Sequence, residues 1–597
     1  MANILVYGGV DAIACLGLSM QFGVAGVSNF GFIIFQAVGA YTAAVLALPP
    51  DTANGGFQHY IGGLGLPFPL PLLGGALAGG LLAWPFAVLV GRRLTGHFAA
   101  IGLLVTAAMA NLLVTNFVPL FNGAAGLSLV PQPLQTVINP SSITYQIGYG
   151  VAALLLAAAT YWFFSRLTRS PYGRSLRAMR DNGPVADALG KNLLSQRTAM
   201  LIAGGAAAGL SGAVLVGFIT LWDPSAWSYA ETIVLFAAVI IGGLGNHRGA
   251  ILGALLVPLG FEEVTRFIPA IGPPGLIPAL QWVAIGLLIV GFLWFRPQGI
   301  LPEPRRRTPA PVLAVAAGPA GAVAAAGLQL GHYRGAGAPP PVGPAAAPAL
   351  AADGIACSFG GVRALEEVSF TVQPGRLTGL IGPNGAGKST LLSILAGTLT
   401  PTGGRVLYHG TDVTHVPAYL RARSGLVRTF QLASEFKRLT VMENLLSAVP
   451  GNRGDSFWGA ARGRRHWAGD EAAAMDEAAD LLRQFGLLEH ADSYAGDLSG
   501  GQRRLVEIMR ALMARPQVLL LDEPMAGIQP ALARRIGRGL QSLCAGGMTI
   551  LLVEHELAFM DEFCDPVVVM AEGRVLAEGT MAQLRGQTEV VEAYLVG

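Results

Sequence analysis

The first half of the chain carries almost no charge. Residues 1–300 contain 12 Lys and Arg and 8 Asp and Glu, whereas residues 301–597 contain 27 and 28. In an ordinary soluble domain about a quarter of the residues are charged. Because so apolar a stretch cannot form a water-soluble surface, we expect the first half to fold in a membrane and the second half in water.

Nine apolar segments account for most of the first half. Most are long enough to cross roughly 30 Å of hydrocarbon as a helix. The seventh is short and runs into Gly242-Gly243-Leu244-Gly245, which indicates a broken or re-entrant helix. We therefore predict an all-α polytopic membrane domain with about nine spans. The segments lie near residues 2–22, 29–49, 70–91, 98–118, 147–165, 199–221, 231–245, 249–267 and 277–295.

The basic residues of this half predict its orientation. With the N-terminus outside, eleven of the twelve Lys and Arg residues fall in cytoplasmic loops or at the cytoplasmic exit. The predicted outer loops, residues 51–69, 119–146 and 222–230, contain no Lys or Arg. The second half of the chain is then expected to lie in the cytoplasm.

The longest predicted cytoplasmic loop covers residues 165–197. Arg174, Arg177 and Arg180 recur at every third residue, and Pro184 to Gly190 is predicted to form a short helix ended by glycine. A simple positive-inside anchor explains the arginines equally well. The length of the loop favours a docking helix that receives force from a cytoplasmic domain.

Small and polar residues inside the apolar segments suggest how the helices pack. The pairs Gly74-Gly75 and Gly79-Gly80 predict close helix contacts. For any single polar residue, an interhelical hydrogen bond is a stronger explanation than contact with a solute. The sequence therefore does not locate a solute site. The polar residues considered are Asn29, Gln36, Asn111, Asn116 and Asn122.

Residues 302–350 separate the membrane domain, residues 1–301, from a second domain, residues 351–597. The segment is dominated by Pro, Ala and Gly, which predicts a low-complexity linker. Its apolar middle leaves open a surface-lying or membrane-touching segment, although its prolines and glycines argue against another span.

Charge and cysteine content exclude several classes of function. The net charge is only +3 and no dense basic stripe is present, so we expect no nucleic-acid partner. Cys15, Cys357, Cys544 and Cys564 are scattered, which argues against a disulfide framework and a thiolate zinc site.

A phosphate-binding loop opens the second domain. A strand ending at Gly379-Leu380-Ile381 precedes the sequence GPNGAGKST, which matches G-x-x-x-x-G-K-[ST]. Backbone N–H groups of such a loop cradle the phosphates of ATP. Lys388 is expected to reach the β- and γ-phosphates and Ser389 to offer its hydroxyl to Mg²⁺. The predicted ATP-binding residues are Gly382, Pro383, Asn384, Gly385, Ala386, Gly387, Lys388, Ser389 and Thr390.

A second element of the same chemistry is VLLLDEP, residues 518–524. Its apolar residues predict a buried strand that brings Asp522 and Glu523 to the carboxyl edge of a sheet. We expect Asp522 to hold the magnesium shell and Glu523 to polarise the attacking water.

The order of these motifs resembles the ATPase of ABC transporters. DLSGGQRR, residues 497–504, lies between the phosphate loop and the Asp-Glu strand, and the resemblance covers residues 352–597. It implies that Phe359 stacks on adenine, that Gln431 couples Mg²⁺ to the membrane domain, and that His555 binds the γ-phosphate beside Glu523. It also implies that the signature motif contacts a nucleotide held by a second ATPase domain. That motif is Leu498, Ser499, Gly500, Gly501 and Gln502.

Four stretches, two in each domain, resemble one branch of that family, the branched-chain amino acid importers. RTFQLASEFKRLTVMENLL and MAGIQP are similar to its ATPases, although Gln529 stands where many ABC ATPases have aspartate. GRSLRAMRDNGPVADALG and VIIGGLGNHRGAILGA resemble its permeases. The resemblance implies a fused permease and ATPase, with a coupling loop that includes Gly173, Arg177, Asp181, Ala188 and Gly190.

The resemblance implies ATP-driven import of branched-chain amino acids across the bacterial cytoplasmic membrane. Urea, short amides or aromatic acids are the alternative cargo, and a half-size exporter is the alternative machine. Because the chain has one domain of each kind, it needs a second permease and a second ATPase, in a hetero-assembly or a homodimer. An extracytoplasmic solute-binding protein, ATP and Mg²⁺ are the other implied partners and cofactors.

Overall fold

The structure is a computed structural model that describes residues 2–50, 57–92, 96–261, 276–305, 307–309, 328, 347–430 and 435–596. The chain forms two compact units. The first, the membrane unit, consists of residues 1–176 and 193–304. The second, the ATPase unit, consists of residues 177–192 and 305–597, so it includes a segment that precedes residue 300.

The described part of the chain before residue 300 is helical. Short 3₁₀ turns cover Gly123–Ala125 and Pro224–Trp227, and π-helical segments Ser19–Val24 and Leu255–Phe261 continue α1 and α11. The α-helices are α1 Ala2–Leu18, α2 Ile33–Ala47, α3 Leu70–Arg92, α4 His97–Asn116, α5 Val118–Phe121, α6 Ile143–Thr168, α7 Pro171–Asp181, α8 Gly183–Ala188, α9 Leu193–Ile219, α10 Tyr229–Gly242, α11 His247–Ala254 and α12 Leu276–Phe295.

The predicted count of nine spans is not confirmed. Among the described residues, 5 helices are long and apolar enough to cross a membrane, and four apolar helices are shorter. The predicted short seventh segment is α10, which ends at Gly242 before Gly243 turns the chain with a φ of +129°. The spanning candidates are Asn3–Val24, Leu70–Gly91, Phe98–Asn116, Ile143–Thr168 and Leu193–Ile219. The shorter helices are Ile33–Ala47, Tyr229–Gly242, His247–Gly260 and Ala279–Phe295.

Glycine lets helices α2, α3 and α9 approach closely. A Cβ atom added at Gly39 would lie 2.2 Å from the carbonyl oxygen of Gly209, and one added at Gly79 would lie 2.4 Å from that of Gly205. At Gly75 it would lie 2.7 Å from Gly39 O. The predicted role of the glycine pairs in close helix contact is confirmed for Gly75 and Gly79, because no larger side chain fits these positions without moving the backbone.

The ATPase unit is built on two sheets. A four-stranded antiparallel sheet has the order β2-β1-β4-β5, and a six-stranded sheet has the order β10-β9-β3-β8-β7-β6, with only β10 antiparallel to its neighbour. The strands are β1 Leu350–Phe359, β2 Val362–Val372, β3 Leu377–Ile381, β4 Gly403–Tyr408, β5 Thr411–Asp412, β6 Leu426–Arg428, β7 Val518–Asp522, β8 Thr549–Val553, β9 Val567–Ala571 and β10 Arg574–Gly579.

Ten α-helices complete the described part of the ATPase unit after residue 350. They are α13 Lys388–Leu395, α14 Ala418–Arg423, α15 Val441–Ala448, α16 Phe457–Arg462, α17 Arg464–Gln484, α18 Gly500–Met513, α19 Pro530–Ala545, α20 Leu557–Phe563, α21 Met581–Leu584 and α22 Thr588–Val596.

The parallel strands explain where the chemistry gathers. β3, β7, β8 and β9 are fully buried, as their unbroken apolar runs predict. Strands β3, β8, β7 and β6 are consecutive neighbours that run in the same direction. Their carboxyl ends therefore meet at one edge, which we call the catalytic edge.

Candidate functional site

The phosphate loop leaves β3 at the catalytic edge and enters α13 at Lys388. The predicted order of strand, loop and helix is confirmed. Lys388 is 7% exposed, and its Nζ donates to the carbonyl oxygens of Gly382 at 2.7 Å and Pro383 at 2.9 Å. Burial lowers the pKa of Lys388. Its ammonium therefore stabilises the shape of the loop and lies where a triphosphate bound by the loop would meet it.

Two glycines of this loop are required by geometry. Gly387 has a φ of +93°, and a Cβ there would lie 2.6 Å from Leu365 Cδ2. At Gly382 a Cβ would lie 2.1 Å from the carbonyl oxygen of Met570. Side chains at these positions would displace the loop from the core, because both contacts are shorter than packed atoms tolerate.

Asp522 ends β7 at the same edge and is fully buried. Its Oδ2 lies 3.1 Å from Nη2 of Arg428, and its backbone N–H donates to Thr429 Oγ1 at 3.2 Å. Burial raises the pKa of the Asp522 carboxyl, although Arg428 acts in the opposite direction. Arg428 also donates to Ser393 Oγ at 2.8 Å, so it links β6 to helix α13 behind the phosphate loop. Sequence reasoning did not identify Arg428.

Among the residues expected to hold Mg²⁺, Asp522 offers an oxygen that suits a bound cation. Oδ1 of Asp522 is buried and has no hydrogen-bond partner among the described residues. A buried carboxylate oxygen without a partner is costly unless a ligand satisfies it, and oxygen is the donor that Mg²⁺ prefers. Ser389 follows Lys388 in the first turn of α13. Gln431, the third expected ligand, lies outside the described residues.

Glu523 and His555 meet across β7 and β8. His555 Nε2 lies 2.9 Å from Glu523 Oε1, and the two side chains are 43% and 17% exposed, so both reach solvent at the edge. Glu523 has a φ of +48°. Such a backbone in a residue other than glycine is unfavourable, and it is typical of residues that the surrounding structure holds for function.

Glu554 supports this pair, and sequence reasoning missed it. It is buried, and its carboxylate accepts hydrogen bonds from the N–H groups of Met525 at 2.7 Å and His555 at 3.3 Å. Burial raises the pKa of Glu554. The Glu554 carboxylate therefore holds the turn after Glu523 and the turn that carries His555 in a fixed position relative to each other.

The signature motif is a helix N-terminus closed by its own side chains. Ser499 is the N-cap of α18, and its Oγ accepts from the N–H of Gln502 at 3.4 Å. The side chain of Gln502 accepts in return from the N–H of Ser499 at 2.9 Å. This capping box orients the N-terminus of α18, whose partial positive charge favours an anion. Ser499 and Gly500 are exposed, so a nucleotide on another ATPase domain can reach them.

Helix α18 also forms hydrogen bonds with Phe430, the residue before Gln431. Glu507 accepts from the N–H of Phe430 at 2.7 Å, and Arg504 donates to the carbonyl oxygen of Phe430 at 2.7 Å. Arg504 and Glu507 form a buried ion pair at 2.8 Å. The signature helix and the end of the segment before Gln431 are therefore held together at Phe430. Nothing in the amino-acid pattern pointed to this pair beyond its position on a predicted helix.

Phe359, the residue expected to stack on adenine, ends β1 and is 50% exposed. Phe359 is therefore not a core residue. The turn that follows has positive φ angles at Gly360 and Gly361 and leaves the ring accessible. An exposed aromatic ring at a strand end is a suitable platform for a flat base.

The predicted coupling loop divides between the two units. Gly173 lies in the membrane unit, where a Cβ would come 2.2 Å from Thr168 O, whereas residues 177–192 belong to the ATPase unit. Arg177 Nη2 lies 2.7 Å from Glu443 Oε1, and both side chains are buried, at 9% and 6% exposure. Asp181 Oδ2 accepts from the N–H of Arg438 at 2.7 Å.

The second part of that loop is the predicted short helix, which is observed as α8. Ala188 is buried at its end, and Gly190 follows with a φ of +83°. The carbonyl oxygen of Gly190 accepts from Arg423 Nε at 2.8 Å. Lys191, which was not predicted as a site residue, forms an ion pair with Asp455. Residues 177–192 thus contact α14, α15 and the turn before α16.

The start of the predicted linker also contacts the ATPase unit. The guanidinium of Arg305 lies 4.2 Å from the ring centroid of Tyr494, and Thr308 donates from N and Oγ1 to Asp492 Oδ1 at 2.7 and 2.6 Å. The apolar middle of the linker lies outside the described residues.

Comparisons with known proteins agree with these motifs. Residues 1–293 match the family described as "Branched-chain amino acid transport system / permease component", and residues 365–526 match the ABC transporter family. The chain is 37% identical over 249 residues to the high-affinity branched-chain amino acid transport ATP-binding protein BraF of Pseudomonas aeruginosa. That match covers 42% of this chain and 98% of the relative.

Two further similarities concern the same region. The chain is 36% identical to the corresponding ATP-binding protein LivG of Escherichia coli K12, over 42% of this chain and 98% of the relative. A solved nucleotide-free ATP-binding cassette of an ABC transporter is 37% identical and has a TM-score of 0.37. That match covers 42% of this chain and 99% of the solved chain.

The geometry predicts that replacement of Lys388 impairs nucleotide binding, whereas replacement of Glu523 impairs hydrolysis. Lys388→Ala should weaken binding of a fluorescent ATP analogue about 10- to 100-fold, because it removes a charged donor to phosphate. Glu523→Gln should leave binding intact and lower phosphate release at least ~100-fold, because it removes the expected general base. Glu562→Gln, an exposed carboxylate 3.7 Å from Arg534, is the control for both. Normal turnover in a correctly assembled Glu523→Gln complex would contradict the assignment.

Asp187 on α8 predicts a pH-dependent stability. Burial raises its pKa from 3.8 to about 6, so the stability that its proton provides is lost as the pH rises through 6. Asp187→Asn should stabilise the purified chain at pH 8 by about 1–2 kcal/mol, a value reduced for partial solvent screening. The gain should shrink towards pH 5 in thermal unfolding. Asp561→Asn, at an exposed site, should show no such trend; equal gains at both pH values would contradict the assignment.

Proposed function

Because the chain belongs to the branched-chain amino acid ABC transporter family, we propose that it imports branched-chain amino acids across the bacterial cytoplasmic membrane, driven by ATP. The observation that carries the proposal is the coexistence of two features in one chain. Residues 1–293 match the permease family, and residues 365–526, which include the signature motif and the strand that carries Asp522, match the ABC transporter family. The chain is an ATP hydrolase of the ABC type with an apolar helical half.

In the proposed ATP site, each residue has one task. The phosphate loop and Lys388 bind the β- and γ-phosphates, and Phe359 stacks on the adenine. Ser389 and Asp522 hold Mg²⁺, which neutralises phosphate charge when it is bound. Glu523 accepts the proton of the attacking water, and His555, 2.9 Å from Glu523, contacts the γ-phosphate. The exposed N-terminus of α18 completes a nucleotide site on a second ATPase domain.

Coupling to transport follows from contacts within the ATPase unit. The loop that leads to Gln431 is tied to α18 through Phe430, so a movement of the signature helix on ATP binding reaches that loop. The neighbouring helix α15 carries Glu443, the partner of Arg177. Because Arg177 lies on α7, whose first residues belong to the membrane unit, this helix is the physical connection for force.

The remaining parts of the transporter must come from other chains. One phosphate loop and one signature motif occur in this sequence, whereas two ATP sites shared between two ATPase domains need two of each. A second permease and ATPase, in a hetero-assembly, is the arrangement that we favour, with a homodimer as the alternative. An extracytoplasmic solute-binding protein would deliver the cargo.

Urea, short amides and aromatic acids are the alternative cargo for the same machine. The names of the similar ATP-binding proteins favour branched-chain amino acids. A half-size exporter receives no support, because the permease match covers the first half of the chain.

Uptake of labelled leucine by native cells tests the proposal. Cells that express the intact chain should accumulate leucine, and cells with Glu523→Gln at equal expression should not, because hydrolysis cannot reset the transporter. Glu562→Gln should transport as the intact chain does. Equal uptake by intact and Glu523→Gln cells would exclude leucine as the cargo, and labelled urea would then be the next solute.

A further inference from the structure

A cavity of about 160 Å³ lies among helices of the membrane unit. Its walls come from α1, α2, α9, α10, the segment after α9 and the π-helical segment after α11. All of these belong to the membrane unit. A protein cavity of roughly this size holds a ligand as large as benzene, so it suits a small organic solute.

Two carboxylates and an amide line this cavity. They are Asp11 of α1, Glu231 of α10 and Gln36 of α2. Only 8 Asp and Glu residues occur in the first 300, and two of them line this one space. Acidic side chains are expensive inside a membrane and mark solute or ion pathways. Two carboxylates favour a cationic group such as an ammonium.

The cavity also offers a hydrogen-bond donor. Trp222 lines it, is 1% exposed, and its indole Nε1 has no hydrogen-bond partner among the described residues. The neighbouring Trp227 differs, because its indole N–H donates to Tyr41 Oη at 3.4 Å. A buried N–H without an acceptor is unfavourable. A carboxylate of a bound solute would satisfy it.

The rest of the wall is aliphatic. Leu215, Leu235, Val234 and Leu259 present hydrocarbon to the same space. Two other polar residues considered from the sequence, Asn29 and Asn111, form hydrogen bonds away from this cavity. Asn29 donates to Gln21 Oε1 at 2.9 Å, and Asn111 donates to the carbonyl oxygen of Pro224 at 2.8 Å. Gln36 is thus the one of these three that faces a cavity.

We propose that this cavity binds a zwitterionic amino acid with an aliphatic side chain during its passage through the membrane unit. Glu231 and Asp11 take the ammonium, Trp222 and the amide of Gln36 take the carboxylate, and the leucines take the side chain. The inference rests on the proposed function and specifies its solute site. On the predicted topology, Trp222 begins the outer loop 222–230 and Glu231 directly follows it, so the cavity lies on the side from which cargo arrives.

Direct binding of labelled leucine to the purified full-length chain in lipid nanodiscs, without a solute-binding protein, tests this site. Leucine should bind and be displaced by valine. 4-Methylpentanoate, which lacks the ammonium, and 3-methylbutylamine, which lacks the carboxylate, should compete at least about tenfold less well. Competition as strong as that of valine by either analogue would overturn the proposed recognition.

Variants assign the contacts. Glu231→Gln should weaken leucine binding about tenfold or more, and Glu231→Asp should restore much of it. Trp222→Phe should weaken leucine binding but not binding of 3-methylbutylamine, because only leucine carries the carboxylate. Tyr145→Phe is the matched control, since it likewise removes a buried polar group, here a hydroxyl, that has no partner among the described residues and lies outside the cavity wall.

Uptake and binding measurements together distinguish a wrong solute site from a wrong proposed function. If native cells import leucine but the Glu231→Gln and Trp222→Phe chains bind it as the intact chain does, the cavity is not the solute site and import stands. If native cells do not import leucine, the proposed cargo is wrong, and absence of leucine binding by the intact chain overturns the cavity proposal as well.

Discussion

The buried ion pair between Arg177 and Glu443 is the interaction on which the proposed coupling depends. Both side chains are almost removed from water, so each charge is compensated in large part by the other. Removal of one partner from such a pair costs about 3–5 kcal/mol. Two flexible side chains on a solvated surface would form only a weak contact. Because this pair is buried, the coupling loop packs against α15 only when the pair is formed.

The pair is fixed from the side of the ATPase as well. Glu443 is the third residue of α15, and its carboxylate also accepts from the N–H of Thr440 in a capping box. Thr440 pairs with Tyr494 in an isolated bridge, five residues before the signature Ser499. Glu443 thus connects the coupling loop to the N-terminus of α15, which pairs with the segment that precedes the signature motif.

Buried arginine–carboxylate pairs recur at two other junctions of the ATPase unit. Arg428 pairs with Asp522 at the catalytic edge, and Arg504 pairs with Glu507 beneath Phe430. The planar fork of arginine holds a carboxylate and a second acceptor at once, which suits these junctions. Lys388 is one of only three lysines in the chain, and its compact ammonium is the group that we propose to face the phosphates.

The sequence predicted the elements whose pattern is local. The strand before the phosphate loop, the strand that carries Asp522 and the short helix before Gly190 all follow from apolar runs and glycine positions. Glu554, Glu507, Arg428 and Glu443 could not be found in this way, because their partners lie on other elements and only the fold brings them together. The cavity beside Glu231 was equally invisible, since its six walls are distant in the sequence. The span count is not confirmed, because four of the described apolar helices are too short to be assigned as spans by length.

Reversal of the Arg177–Glu443 pair tests the account most directly. Leucine uptake and ATP hydrolysis should be measured together in Arg177→Glu, in Glu443→Arg and in the double variant. Each single change places like charges in a buried contact, so each variant should hydrolyse ATP but transport little leucine per ATP. The double variant should recover most of the ratio, because it restores an ion pair. Normal transport by the single variants, or no recovery in the double variant, would contradict the claim that this pair connects hydrolysis to transport.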